Sequence, residues 1–124
     1  MNEITTREEN LPATLDSYAQ QGRMFLFNAA QNLIQFGRVL IEAKPLVPRG
    51  QFEGWVKNNF GISERTAQGY MAVYRRFGVK EQYRNVQFSK LQEMLALPEG
   101  TEEQFSAEHN LDDMSAREIK RAVQ

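Results

Sequence analysis

Four polar side chains between Glu64 and Gln68 have the chemistry to read the edges of DNA bases. The Gln68 amide could bond adenine through a donor and an acceptor, and the Arg65 guanidinium could bond guanine in the same bidentate way. Thr66 completes this set of base-edge candidates. Glu64 could accept a hydrogen bond from cytosine, or it could simply stabilise the start of a helix through the helix dipole.

Four neighbouring side chains, Lys57, Ser63, Arg75 and Arg76, have the chemistry of phosphate contacts. Such contacts hold the DNA backbone and orient a protein on the duplex without reading its sequence. Gly69 lies among them and has no side chain, so the helix backbone could come close to the DNA there. A solvated face of an ordinary helix would contain the same arginines, and the sequence leaves this second interpretation open.

Residues suited to catalysis are scarce. The chain has no Cys and one His, so a Cys–His pair is excluded and a Ser-His-Asp triad would need His109. His109 lies at a predicted helix end, where capping is the expected role. Asp112 and Asp113 lack the alternating oxygen ligands of a cation-binding loop, and no GxxxxGK[ST] or HExxH motif occurs. We therefore expect no enzymatic activity, no cofactor and no metal.

The base-edge candidates lie on the second of two helices that a tight turn connects. The pattern predicts a first helix over residues 51–60, a left-handed bend at Gly61 and a second helix from Glu64 to Phe77. Ser63 has the hydroxyl of an N-cap. This order is typical of a helix-turn-helix, whose second helix commonly enters the DNA major groove.

Apolar residues at three- and four-residue steps give the second helix an inward stripe. The predicted inward residues are Ala67, Tyr70, Met71, Tyr74 and Phe77. The predicted outward residues are Arg65, Gln68, Gly69, Ala72, Arg75 and Arg76. On the first helix, Trp55 shares a face with Val56 and Phe60 and is expected in the core, whereas Lys57 faces outward.

Positive charge is concentrated on residues 44–84. This segment has eight basic and three acidic residues, a net charge of +5, whereas residues 1–43 carry −2 and residues 85–124 carry −4. Because local potential steers a protein to phosphate more than total charge does, the distribution favours nucleic-acid binding despite the overall charge of −1. The acidic flanks could limit non-specific binding or form the surface for a protein partner.

The remaining segments predict an all-α fold. Residues 1–10 are expected to be disordered, and residues 11–124 to form a single helical domain with a long helix over 11–43, capped by Asn10. This helix either bends near Gly22 or Gly37 to fold both halves onto one core, or leaves apolar surface for a second subunit.

Residues 85–124 predict two or three short helices. Two capping boxes, Thr101 with Gln104 and Ser115 with Glu118, mark the starts of two of them. No run of about 18 apolar residues could span a membrane, and the polar N-terminus is unlike a signal peptide. We expect a cytoplasmic protein without a membrane or small-molecule partner.

The run IEAK, the connector VPRGQF with its tryptophan, and the stretches GISERTAQGYM and YRRF lie between Leu40 and Phe77. This combination resembles a family of small helical domains of unknown function from phages, plasmids and integrative elements. The tail from FSKLQEMLALPEG to LDDMSAREIKRAV is also similar to that family and, loosely, to the C-terminal half of ParB-type DNA-binding domains. The ParB similarity implies helix-turn-helix DNA binding. The chain lacks the arginine-rich nucleotide-binding motif of ParB proteins, so CTPase or clamp behaviour is not implied.

These patterns predict a sequence-specific duplex DNA-binding protein of a mobile element, acting as a regulator or partition-like factor. A homodimer is expected by analogy with helix-turn-helix proteins that read paired half-sites. The alternative is a protein-interaction module of the anti-CRISPR type, which binds and inhibits a host factor and ignores free DNA. Its working surfaces would be the acidic tail and the long N-terminal helix.

Overall fold

A computed structural model describes residues 14–124, which form six α-helices and three short 3₁₀ turns, without any strand in this range. The helices are α1 (Leu15–Ala43), α2 (Phe52–Phe60), α3 (Glu64–Phe77), α4 (Phe88–Met94), α5 (Glu102–Glu108) and α6 (Ala116–Val123). The predicted all-α class and the long N-terminal helix are confirmed. The expected disorder of residues 1–10 and the Asn10 cap lie outside the described residues. None of the described helices is both long enough and apolar enough to cross a membrane.

Helix α1 is one unbroken helix of 29 residues. The Thr14 hydroxyl caps it by accepting a hydrogen bond from the Ser17 amide at 3.0 Å. Its C-terminal half packs on α3, whereas most side chains of residues 15–29 are exposed. The interpretation in which a bend folds both halves onto one core is therefore wrong. Gly37 is instead a site of close packing, because a Cβ there would clash with the Tyr70 carbonyl oxygen.

Helix α3 lies between two apolar clusters. The first joins it to α1 and α2 through Leu40, Phe52, Val56, Ala67 and Met71. Trp55 stacks on the Phe52 ring at 6.1 Å between centroids, which confirms its predicted role in the core.

The second cluster joins α3 to the C-terminal helices. Its fully buried members include Val73, Phe77, Tyr83, Leu91, Met94 and Ile119. Burial on two sides leaves α3 only a narrow strip of surface for any partner.

Short polar contacts set the ends of the C-terminal helices. The Ser115–Glu118 capping box is confirmed, with bonds of 2.8 and 3.1 Å. The Thr101 capping box is wrong, because the Thr101 hydroxyl donates to the Pro98 carbonyl at 2.6 Å and does not cap α5. His109 ends α5 as predicted. Its ring stacks at 4.1 Å on Phe105, and its Nδ1 lies 3.0 Å from the Phe105 carbonyl oxygen.

Candidate nucleic-acid interface

A turn of three residues connects α2 to α3. Gly61 has a left-handed backbone with φ of 69°, and its amide donates to the Lys57 carbonyl at 3.0 Å. The Ser63 oxygen accepts from the Thr66 amide at 3.1 Å, so the predicted N-cap is confirmed. The Ser63 hydroxyl also donates to the Thr66 Oγ1 at 3.1 Å. To donate to a phosphate, Ser63 would have to give up this bond.

One strip of α3 faces solvent over about three turns. It contains Glu64, Arg65, Gln68, Ala72 and Arg75. Arg65 and Arg75 are exposed, and ten residues of helix place them about 15 Å apart along the axis. Lys57 is exposed on α2. Within residues 14–124 no carboxylate forms an ion pair with these three cations, so their charge is available to an anionic partner.

Gly69 lies at the edge of this strip. A Cβ on Gly69 would lie 3.7 Å from the Nε2 of Gln92, an exposed residue of α4. The small residue therefore faces α4, and the Gln92 amide adds a donor and an acceptor beside the strip. Reasoning from sequence missed Gln92, since only the tertiary fold brings α4 next to α3.

Arg76 does not face outward, and its prediction as a phosphate contact is wrong. Its side chain is only 10% exposed. The guanidinium donates to Glu102 Oε1 from Nε at 3.2 Å and from Nη2 at 2.8 Å. It also donates to the carbonyls of Leu95 at 3.1 Å and Pro98 at 2.7 Å. Arg76 thus ties the connection between α4 and α5 to the end of α3.

Glu102 is the buried partner of this arginine, with 4% of its surface exposed. Its Oε2 accepts from the Lys80 ammonium at 2.9 Å, and its Oε1 accepts from the Gly100 amide at 3.1 Å. Burial by itself would raise the pKa of Glu102. The hydrogen bonds from Lys80 and Arg76 outweigh burial and lower that pKa from 4.5 to about 2. The same hydrogen bond to Glu102, together with a second one to Glu103, raises the pKa of Lys80.

The count of +5 for residues 44–84 overstates the charge that this segment offers to a partner. Three of its eight basic residues bond to acids, namely Arg76, Lys80 and Arg84. Two of the acids, Glu102 and Glu103, come from the C-terminal segment. The positive surface is therefore smaller than the sequence suggested, and on α2 and α3 it consists of Lys57, Arg65 and Arg75.

The profile of a family described as "Protein of unknown function (DUF3102)" matches residues 10–124, which include all six helices. The chain belongs to this family. No curated protein and no solved structure shows significant similarity to this chain. The DUF3102 match covers the exposed strip of α3 and the buried Arg76–Glu102 pair alike, so both features lie within the family region.

Because of the buried Arg76–Glu102 pair, the stability of this DUF3102 chain is expected to fall as the solution becomes acidic. Glu102 has a lower pKa folded than unfolded, so its contribution is complete above about pH 4.5 and is lost as pH falls toward about 2. We expect Glu102→Gln to lower the free energy of unfolding strongly at about pH 7 and much less at about pH 3. Urea unfolding followed by circular dichroism across this range measures the difference.

Glu103→Gln is the matched control, because the Glu103 side chain is 51% exposed and exposed ion pairs contribute little. We expect a small effect from this change at any of these pH values. A Glu102→Gln deficit of the same size at both ends of the range would contradict the assigned charge state of the pair.

Proposed function

We propose that this protein binds duplex DNA through the exposed strip of α3, as a regulator or partition-like factor of a mobile element. The observation that carries the proposal is the strip itself. It presents Arg65, Gln68 and Arg75 on a helix that follows a Gly-containing turn, and no acid of the described chain neutralises its arginines.

The placement of the side chains supports a major-groove approach. In helix-turn-helix proteins the first residues of the second helix contact bases, while the preceding helix crosses the backbone. Arg65, Thr66 and Gln68 lie in the first two turns of α3. Lys57, on α2, and Arg75, at the far end of α3, would then hold phosphates on either side of the base contacts.

The mobile-element setting rests on the sequence resemblance to domains from phages and plasmids, and the partition-like role on the loose similarity to ParB-type domains. The protein-interaction alternative keeps the exposed first half of α1 as a possible surface, but its acidic tail offers fewer free acids than the sequence pattern predicts. Two acids of the tail, Glu102 and Glu103, already bond to Arg76 and Lys80 and do not form a free acidic surface.

Arginine substitutions on the strip separate base reading from phosphate binding. We expect Arg65→Ala to weaken binding to the preferred site by about 1–3 kcal/mol and to relax specificity. We expect Arg75→Ala to weaken all sequences alike and to reduce the slope of log K against log salt by about 1. Fluorescence anisotropy with random duplex and with DNA from the protein's own upstream region, over a salt series, measures both effects.

Arg38→Ala is the matched control. Arg38 is an arginine of α1, the helix that covers one of the two buried sides of α3, and it pairs with Glu42 at 3.0 Å. The Arg38→Ala variant should bind DNA as the wild-type protein does. If the wild-type protein bound no duplex at about 50 mM salt, where basic patches hold DNA, the proposal would fail and a host protein target would be sought.

A further inference from the structure

An apolar stripe on the first half of α1 is uncovered. Leu15 is 87% exposed, Phe25 is 71% exposed, and Tyr18 and Leu26 are more than half exposed. These residues, with Ala19 and Gly22 between them and Ala29 after them, follow the three- and four-residue steps of one helix face. Exposed apolar residues are ordinary singly, whereas a contiguous row of them marks an interaction surface.

The stripe is the continuation of the face by which α1 packs on α3. Leu26, Leu33 and Leu40 lie at seven-residue steps on this face. Leu40 is fully buried, Leu33 is partly buried against the core, and Leu26 is 54% exposed. The helix therefore carries its core-facing pattern about four turns beyond the point where α3 and the C-terminal helices stop covering it.

The large exposed residues of the stripe would supply more than half of the surface that a standard dimer interface needs. Aromatic side chains bury about 150–250 Å² each, so the large exposed residues of the stripe offer on the order of 500 Å². Standard interfaces bury about 800 Å² per partner, and the small residues and stripe edges would supply much of the rest.

We propose that residues 15–26 of α1 pair with the same residues of a second copy of this chain, in antiparallel orientation. The charges of the segment support a second copy as the occupant. Asp16 and Arg23 are its only charged residues, both are exposed, and they lie on the same edge of the stripe. In a two-fold antiparallel pair this edge meets itself, so Asp16 of each copy faces Arg23 of the other.

The sizes of the side chains support the same arrangement. The point midway between Asp16 and Arg23 lies beside Ala19, near the centre of the stripe. If the two copies of α1 cross at this point, the small residues Ala19 and Gly22 come together and allow the two helices to approach closely. The bulky Leu15 at one end would lie against the Phe25 end of the other copy, and Tyr18 would lie beside Gly22. A parallel pair would instead set the charged edge against the uncharged one.

Self-association goes beyond the proposed DNA binding and is tested without DNA. Size-exclusion chromatography with light scattering of the full chain at about 100 µM should give twice the chain mass of 14.3 kDa. Phe25→Glu places a charge on the stripe at a residue too exposed to affect the core, and it should give the monomer mass with unchanged helicity. Gln20→Glu, which adds the same charge on the opposite side of the helix, should leave the dimer intact.

A charge exchange tests the orientation. Asp16→Arg and Arg23→Asp should each raise the dimer dissociation constant about tenfold, and the double variant should restore it. A monomeric wild-type protein, or equal dissociation by Gln20→Glu and Phe25→Glu, would overturn the proposed surface. Single exchanges without effect, or without rescue in the double variant, would overturn the antiparallel pairing.

Discussion

Replacing Arg76 by alanine is expected to lower the free energy of unfolding by about 3–5 kcal/mol, because it breaks a buried ion pair from one side. Glu102 would remain 4% exposed with Lys80 as its remaining charged partner. The carbonyls of Leu95 and Pro98 would also lose the donors that Arg76 supplies. Urea unfolding by circular dichroism at neutral pH, where Glu102 is ionised, measures the loss.

Arg75→Ala is the matched control, since Arg75 is the preceding residue of the same helix and is exposed. Surface changes of this kind usually alter stability by less than about 0.5 kcal/mol. Arg76→Lys should recover only part of the loss, because an ammonium cannot reproduce the fork of donors that reaches one carboxylate oxygen and two carbonyls. Equal stability of the Arg75→Ala and Arg76→Ala variants would contradict the buried position of Arg76.

Local signals were sufficient to predict the α2–turn–α3 unit. The bounds of α3, the left-handed Gly61 and the Ser63 cap depend on interactions between residues only a few positions apart. The same holds for the Ser115 capping box. The residues of a short stretch of sequence determine such features, so they can be predicted without knowing what packs against that stretch.

The errors concern contacts between distant segments. Helical spacing placed Arg76 beside Arg75 on a polar face, but it gave no sign that the α4–α5 connection and Glu102 would cover that side of α3. The same spacing predicts Gly69 on the outward face, whereas α4 lies next to it. An apolar stripe identifies one buried side of a helix, and α3 has two.

The long helix shows a different limit. The apolar spacing continues evenly from Leu26 to Leu40. A helix bent onto one core and a straight helix with an exposed apolar face both require this spacing, so the sequence does not distinguish them. Only the point at which the other helices end distinguishes these outcomes. Glycine was equally ambiguous, since Gly37 signals either flexibility or close packing until the neighbouring helix is known.

Gly37→Ala should separate those two meanings by the sign of its effect. In a solvent-exposed helix, glycine to alanine stabilises by up to about 1 kcal/mol. At position 37 the new Cβ would clash with the Tyr70 carbonyl oxygen and would lie 3.1 Å from the Tyr74 Cβ. These atoms belong to the interior of α3 and cannot turn away as a side-chain tip could. We therefore expect a loss of about 1–3 kcal/mol or more in the free energy of unfolding.

Gly54→Ala provides the comparison, because Gly54 lies inside α2 and a Cβ there would meet nothing within 4 Å. Thermal and urea unfolding of both variants should give a gain for Gly54→Ala and a loss for Gly37→Ala. Stabilisation by both would mean that α1 does not approach α3 as closely as described. A lower free energy of unfolding for Gly37→Ala alone would establish the close contact between α1 and α3. That contact supports α3 and so holds its exposed strip in place. Since α1 covers the side of α3 opposite Arg65 and Gln68, any shift that accommodates the methyl group would also move the proposed DNA-binding surface.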